Sequence, residues 1–141
     1  MEIIDSNKKA LVLMNHTLNE EQVKDLQKNY GVDDIVYPTP EISDLWRNIP
    51  PEASTEELRT FLTPVFDWVE KHSGWGAYLI IAGEPTATFM IQNFWLAHLP
   101  CKGSLIATTK RESIEETQED GSVVKRSVFK HVRFRVLDPI N

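Results

Sequence analysis

The sequence predicts the α/β fold class, with a mostly parallel sheet flanked by helices and a C-terminal antiparallel β-hairpin. Two observations support this prediction. Short apolar runs typical of buried strands alternate with segments whose apolar residues recur at helical spacing. Beyond the last such helix, the dipeptide Asp120-Gly121 separates two strand-like arms, which is the usual pattern of a hairpin.

The individual elements follow from local signals along the chain. The predicted strands cover 10–14, 34–37, 78–82 and 105–107, the predicted helices cover 18–30, 41–48, 54–71 and the stretch from the Gly83 loop to Leu99, and the C-terminal part holds hairpin arms over 112–118 and 123–128 and a last strand over 132–136. Thr17 and Glu20 have the spacing of a capping box and begin the first helix, which Gly31 ends. Pro38 ends the second strand because proline cannot donate a backbone hydrogen bond.

The middle of the chain combines a long helix with the most strand-like run of the sequence. Ser54 and Glu57 form a second capping box, and Pro64 predicts a kink because it lacks the N–H that a helix interior needs. The run 78–82 is apolar on both faces, which is typical of a strand inside a parallel sheet. Alternating strands and helices of this kind predict a doubly wound sheet.

Length and composition favour one ordinary globular domain spanning 1–141. The 141 residues, 41% of them hydrophobic, suffice to build a single core. The longest apolar runs are far shorter than the roughly 18–20 residues of a membrane span, and the N-terminus lacks a signal-peptide pattern, so we expect a cytoplasmic protein with no membrane partner. The single cysteine, Cys101, excludes an internal disulfide, and we expect it to be a buried, unreactive thiol.

The charge is acidic overall but unevenly distributed. The net charge of −6 argues against binding to DNA or long RNA, because an acidic surface repels the phosphate backbone. Residues 1–100 hold 7 Lys and Arg against 15 Asp and Glu, a net of −8, whereas residues 101–141 hold 8 against 6, a net of +2. A small anionic ligand can therefore be held near the C-terminal part.

Three predicted loops with polar residues follow predicted strands, where ligands of open parallel sheets bind, and they cover 15–17, 83–88 and 108–111. Asn15 and His16 follow the first strand, and they suit a group that positions a substrate hydroxyl and a group that titrates near neutrality. A lone loop histidine is also commonly a solvated side chain, so both interpretations stay open. The glycine loop after the 78–82 strand contains Gly83, Glu84, Thr86 and Thr88.

The glycine loop opens onto a helix N-terminus, whose unpaired N–H groups and positive dipole end attract anions. Thr86 and Thr88 add hydroxyl donors. Alternatively, Gly83 only makes the turn and a threonine caps the helix. The loop is neither a Walker A motif nor a GxGxxG motif, so we expect no nucleoside triphosphate or dinucleotide cofactor.

The run after the 105–107 strand places two hydroxyls and two cations in consecutive positions, at Thr108, Thr109, Lys110 and Arg111. This composition suits phosphate oxygens, although a solvated charge pair at a strand end has the same sequence. Farther along, His131 and Arg133 add a titrating group and a cation. The sequence shows no His, Asp or Glu cluster at metal-ligand spacing and no GxSxG motif, so we expect no metal, no cofactor and no Ser-His-Asp chemistry.

Several longer segments resemble those of one family. They are Asn15-His16-Thr17-Leu18-Asn19-Glu20-Glu21-Gln22, Leu45-Trp46-Arg47-Asn48-Ile49-Pro50-Pro51, the loop 83–88, Ala107-Thr108-Thr109-Lys110-Arg111, Asp120-Gly121-Ser122-Val123 and Phe129-Lys130-His131-Val132-Arg133-Phe134-Arg135. Together they resemble the small CRISPR-associated proteins numbered twenty in the Csx series. That family comprises stand-alone ring nucleases related to CARF domains, the CRISPR-associated Rossmann-fold sensors.

The resemblance implies a Rossmann-like, CARF-like domain that degrades a cyclic oligoadenylate and so switches off type III CRISPR signalling. It implies cyclic tetra-adenylate as the preferred ring and a homodimer whose two-fold axis matches the ligand. The implied reaction is metal-independent attack of a ribose 2′-hydroxyl on its 3′-phosphate. The products are linear, with a 2′,3′-cyclic phosphate and a 5′-hydroxyl.

The residues singled out above suit that chemistry. Lys110 and Arg111 are candidates for stabilising the phosphorane charge, and His16 or His131 for general base or acid. The expected substrate-binding residues are Asn15, Gly83, Glu84, Thr86, Thr88, Thr108, Thr109 and Arg133. Glu84 would repel a phosphate, so we expect it to point away or to have a catalytic task.

Two alternatives remain open at this stage. A sensor or sponge would bind the cyclic oligoadenylate without cutting it, and a plain interaction domain would bind another protein and no cyclic oligoadenylate. Turnover with limiting enzyme separates the first alternative from a nuclease. A thermal-shift titration separates the second from both.

Overall fold

A computed structural model of the protein describes residues 8–140. The elements, in chain order, are β1 (Lys9–Leu13), α1 (Glu20–Tyr30), β2 (Asp34–Val36), α2 (Pro40–Arg47), α3 (Thr55–Phe61), α4 (Thr63–Lys71), β3 (Ala77–Ile81), α5 (Pro85–His98), β4 (Gly103–Thr117) and β5 (Val123–Leu137). They form one five-stranded sheet in the order β2-β1-β3-β4-β5. The first four strands are parallel and β5 is antiparallel to β4. The predicted α/β class, the mostly parallel sheet and the C-terminal antiparallel pair are confirmed.

The sheet has a different helical layer on each face. The layer of α2 to α5 covers Leu11, Leu79 and Ile81, which alternate with residues of the opposite face. On that opposite face α1 packs through Leu26 against Val12 and Ile80. Strands buried on both faces consist almost entirely of apolar residues, as β1 and β3 do.

The first helix begins later than predicted. Asn19, not Thr17, is the N-cap, and its side chain accepts a hydrogen bond from the backbone N–H of Gln22 at 2.8 Å. The Gln22 side chain in turn accepts one from the backbone N–H of Asn19 at 3.0 Å, so this pair forms the capping box. The capping-box spacing of Thr17 and Glu20 overlaps that of Asn19 and Gln22, and the predicted helix start at 18 relied on the first pair, which is not the cap.

The predicted helix over 54–71 is two helices rather than one kinked helix. Leu62 both ends α3 and precedes α4. Pro64 has no N–H to donate to the carbonyl of Thr60, and the hydroxyl of Thr63 donates to that carbonyl instead at 2.8 Å. The chain therefore turns at this point without leaving the carbonyl unpaired.

The C-terminal hairpin is much longer than predicted. The segments predicted as 105–107 and 112–118 are parts of one strand, β4, and those predicted as 123–128 and 132–136 are parts of β5. A β-bulge interrupts the ladder, since Thr108 pairs with Arg133 and Thr109 pairs with His131, which leaves Val132 unpaired. We call residues 109–131, the part of the hairpin beyond this bulge, the arm.

Cys101 is buried, as predicted, at 3% exposure. Burial raises the pKa of its thiol, and the sulfur lies 3.5 Å from the carbonyl oxygen of Trp95. None of the helices within residues 8–140 is long and apolar enough to cross a membrane.

Gly83 is a position where any side chain meets the core. A Cβ atom there would lie 2.7 Å from Nε1 of Trp46, a residue that is 1% exposed and donates a hydrogen bond to the carbonyl of Ala82 at 3.0 Å. We predict that Gly83→Ala lowers the free energy of unfolding by about 1–3 kcal/mol, because the indole must move and lose this hydrogen bond. Urea unfolding measures the difference.

Gly74→Ala is the matched control, because a Cβ atom at Gly74 has no neighbour within 4 Å. We expect its free energy of unfolding to stay close to that of the unmodified protein. Equal destabilisation by both substitutions would contradict the packing explanation for Gly83.

Candidate functional site

The edge of the sheet at the carboxyl ends of its parallel strands gathers the predicted functional segments. β1, β3 and β4 run in the same direction, so the loop after β1, the loop after β3 and the outer part of β4 all lie at this edge. The chain goes from β1 outward to β2 and then returns to β3 on the other side of β1. Doubly wound sheets bind ligands where the strand order reverses in this way.

His16 lies in the loop after β1 and is exposed. Its Nδ1 is 2.9 Å from the carbonyl oxygen of Thr17. His16 and Asn15 line a cleft of about 210 Å³ at the ends of β1 and β2, together with Val12, Met14, Thr17, Tyr37, Pro38, Ser43 and Arg47. The arginine, the imidazole and several hydroxyl groups make this a polar cleft.

The N-terminus of α5 already holds a carboxylate of the chain itself. Glu84 is the N-cap, and its two oxygens accept hydrogen bonds from the backbone N–H groups of Thr86 at 2.7 Å and Ala87 at 3.3 Å. These hydrogen bonds lower the pKa of Glu84, and the one from Thr86 has the larger effect. An external anion would have to displace Glu84 to use the same N–H groups. Thr88 lies one residue farther on, and its Oγ1 is buried without a hydrogen-bond partner among residues 8–140.

The run Thr108–Arg111 is part of β4 and not a loop, so the loop prediction is wrong. The hydroxyl of Thr108 donates to the carbonyl of Arg133 at 3.0 Å. Lys110 lies directly opposite Lys130, and both are exposed. The guanidinium carbon of Arg111 lies 5.5 Å from the ring centroid of Phe129, which is a cation–π distance.

His131 is held by a carboxylate that the sequence analysis did not select. Its Nε2 lies 2.7 Å from Oδ2 of Asp25 on α1, and the two side chains are only 4% and 15% exposed. Burial by itself raises the pKa of Asp25, but hydrogen bonds from Asn29 and His131 outweigh it, so the pKa lies below its ordinary value. The Nδ1 atom of His131 is buried and has no hydrogen-bond partner within the described range 8–140.

A cleft of about 480 Å³ separates the N-terminus of α1 from the arm. It is lined by Asn19, Glu20, Glu21, Ile114, Val128, Phe129, Lys130 and His131. The cleft combines an apolar wall, two carboxylates at a helix N-terminus, a cation and the imidazole held by Asp25. His16 lines the smaller cleft, so the two candidate histidines face different clefts of the protomer.

His131 was predicted from the sequence, but most of the residues around it were not. Asp25 and His131 are 106 positions apart, and no local pattern connects a helix carboxylate to a distant strand. Ile114 and Val128 belong to segments predicted as hairpin arms, and Phe129 follows the second of them, so none of the three carried an expectation of a cleft. The long antiparallel pairing of β4 with β5 is the signal that would have placed them beside α1.

Glu84 offers a test of the cap at α5. We predict that Glu84→Gln lowers the free energy of unfolding by at most about 1 kcal/mol near neutral pH, because the charged cap of the α5 dipole is lost. A lowered pKa stabilises the fold above the unfolded-state pKa, and this contribution is lost as the pH falls through the folded-state pKa. The difference between the two proteins should therefore vanish in acid.

Urea unfolding across the pH range checks this prediction. Glu52→Gln is the matched control, because Glu52 is an exposed turn residue. A Glu84→Gln difference that stays constant down to acid pH would contradict the charged-cap account.

The family described as "Uncharacterized protein MJ1673 family" matches residues 8–135. The relative "Uncharacterized protein MJ1673" from Methanocaldococcus jannaschii is 33% identical over 133 residues, which cover 93% of this chain and 98% of that relative. No solved structure matches the chain. The match over most of its length shows that the chain belongs to the MJ1673 family.

Proposed function

We propose that the protein is a metal-independent ring nuclease that opens a cyclic oligoadenylate, with cyclic tetra-adenylate as the preferred ring. In this proposal it is a CARF-like, Rossmann-like domain that works as a homodimer in the cytoplasm and ends type III CRISPR signalling. The segments 107–111 and 129–135, on which the resemblance chiefly depends, lie side by side on β4 and β5.

One observation supports the proposal most strongly. The buried imidazole of His131 is held by Asp25 and lines the larger cleft next to Lys130. Lys130 lies directly opposite Lys110 on the neighbouring strand. A histidine oriented by a carboxylate, in a cleft that one cation also lines, is suited to moving a proton at a phosphodiester.

The proposed reaction needs no nucleophile from the protein. Nδ1 of His131, which has no partner among residues 8–140, accepts the proton of a ribose 2′-hydroxyl. The 2′-oxygen then forms a bond to the adjacent phosphorus, and the bond from phosphorus to the 5′-oxygen of the next nucleotide breaks. The leaving 5′-oxygen takes a proton from water, because His16, the other histidine predicted for proton transfer, lines a different cleft of the protomer.

Cations of the arm are proposed to stabilise the charge that develops on the phosphorane, and of the three only Lys130 lines the cleft of His131. Lys110 and Lys130 lie on one row of the arm, and Arg111 is held against Phe129 in the next row. Fixed positive groups at such a centre contribute several kcal/mol without a metal. Asp25 is a positioning residue in this scheme, because it contacts the imidazole and not the substrate.

The second candidate function is binding without cleavage, as in a sponge or sensor. The observation in its favour is that Nδ1 of His131 is buried, so a ligand reaches it only after the cleft adjusts. In this case the cations would bind the phosphates, and the pair of His131 and Asp25 would serve only to attach the arm to α1.

The deciding experiment incubates the purified protein with excess cyclic tetra-adenylate and EDTA, followed by product analysis. We predict several turnovers to linear products ending in a 2′,3′-cyclic phosphate. Intact ligand with a raised melting temperature would mean a sponge or sensor. Intact ligand without a thermal shift would contradict both functions.

Variants assign the roles. We predict that His131→Asn lowers kcat by about 10²–10⁴-fold, the usual contribution of a general base. Asp25→Asn should lower kcat and leave KM nearly unchanged, because it disturbs the imidazole and no substrate contact. The matched control is His98→Asn, on α5 at the other face of the sheet.

Single-turnover rates, with thermal unfolding as a check of folding, provide the readout. Full activity of His131→Asn would contradict its role as the base. Full turnover by both Lys110→Ala and Arg111→Ala would contradict the assignment of charge stabilisation to these two side chains.

A further inference from the structure

The outermost strand, β5, carries an unusual share of the exposed apolar surface. Six of the ten large hydrophobic side chains that are exposed within residues 8–140 lie on it: Val123, Val124, Phe129, Val132, Val136 and Leu137. Phe129 and Val123, at 65% and 56% exposure, lie near opposite ends of the arm. A concentration of this kind marks an interaction surface.

The arm is also electrically polarised along its length. Its base, residues 109–111 and 129–131, contains Lys110, Arg111 and Lys130 and no acidic residue, a formal charge of +3. Its tip, residues 112–128, contains five acidic residues and two cations, a net of −3. The arm therefore has equal and opposite charge at its two ends.

Little of this charge is neutralised within the arm. Among residues 8–140, one ion pair joins two residues of the arm, namely Arg126 and Glu116 at 2.7 Å. Lys110 and Lys130 lie opposite one another rather than opposite acids. Glu112, Glu119 and Asp120 at the tip have no cation within ion-pair distance among residues 8–140.

We propose that two copies of the chain associate through their arms, packed antiparallel about a two-fold axis. The acidic tip of each arm then lies against the basic base of the other, and both contacts are attractive. The inference rests on the homodimer of the proposed function and identifies its interface. A parallel arrangement would place like charges together and is disfavoured.

The same antiparallel arrangement pairs the apolar residues. Val123, at the tip, then lies opposite Phe129 at the base of the partner's arm. Because the base adjoins the cleft beside α1, the partner's tip lies at the mouth of that cleft. In the ligand-free dimer the partner's carboxylates therefore pair with the cations of the base, and an anionic ligand must displace them to reach these cations.

The size of the arm limits the expected affinity of the proposed dimer. Nine residues of β4 beyond the bulge span about 30 Å, and a two-stranded ribbon is about 10 Å wide. The contact is then about 300 Å² per copy, below the roughly 800 Å² of a standard interface. We therefore expect a weak dimer that weakens further with salt, because its charges are solvent-accessible.

Sedimentation analysis of the ligand-free protein tests the inference with charge reversals. The base variant is Lys110→Glu with Lys130→Glu, and the tip variant is Glu115→Lys with Glu119→Lys. We expect the unmodified protein to dimerise and each variant alone to be monomeric. An equimolar mixture of the two variants should dimerise again, because each reversed end meets an end of opposite charge.

Glu56→Lys with Glu70→Lys, on α3 and α4, is the matched control and should dimerise like the unmodified protein. Thermal unfolding shows that each variant is folded. Any one of three results would overturn the inference. The unmodified protein could be monomeric at high micromolar concentration, both charge-reversal variants could dimerise alone, or the mixture of the two variants could stay monomeric. None of these results depends on turnover. If the protein does not cleave cyclic tetra-adenylate but the mixture of the two variants dimerises, the proposed nuclease activity is wrong and the proposed interface stands.

Discussion

The attachment of β5 to α1 is the constraint on which the candidate site depends. On this face of the described chain α1 covers the sheet, and it holds β5 at two points. Asp25 binds the imidazole of His131, and the hydroxyl of Tyr30 donates to the carbonyl of Phe134 at 2.7 Å. Aromatic packing supports both, since the Phe134 ring lies 5.9 Å from Tyr30 and 4.8 Å from His131, centroid to centroid. A strand held in this way can leave the sheet edge with its arm in a defined direction.

This attachment divides each hairpin strand into two parts with different environments. Up to the bulge, Leu105 and Phe134 are fully buried and belong to the core beside α1. Beyond the bulge the two strands pair in the sheet only with each other and are mostly exposed. The bulge at Val132 is the transition, and Lys110, Lys130 and His131 all lie within two residues of it along the ladder. The imidazole of His131 is therefore anchored against the core, whereas Lys110 and Lys130 beside the bulge are exposed to solvent.

The local parts of this arrangement were predictable from the sequence, and the long-range parts were not. The α/β class, the buried strand β3 and the buried Cys101 follow from hydrophobic pattern, which is a property of a few consecutive residues. Thr108–Arg111 was misassigned as a loop because its polar residues have no core-facing period, and only the pairing with β5 makes the segment a strand. Asp25 was missed because a single helix carboxylate is unremarkable until a distant histidine contacts it. Glu84 was part of the predicted glycine loop, but its role as the N-cap of α5 was not predicted. Whether Glu84 or an external anion binds the N–H groups at the helix end depends on side-chain geometry.

The central claim is that His131, oriented by Asp25, is the group that meets the ligand. The most direct measurement is the ¹⁵N resonance pair of the His131 ring, recorded by NMR with and without cyclic tetra-adenylate under conditions that prevent turnover. The account predicts that Nδ1 shifts on ligand binding while Nε2 keeps the signature of its hydrogen bond to Asp25. Ligand binding that shifts resonances elsewhere and leaves both His131 nitrogens unchanged would contradict it.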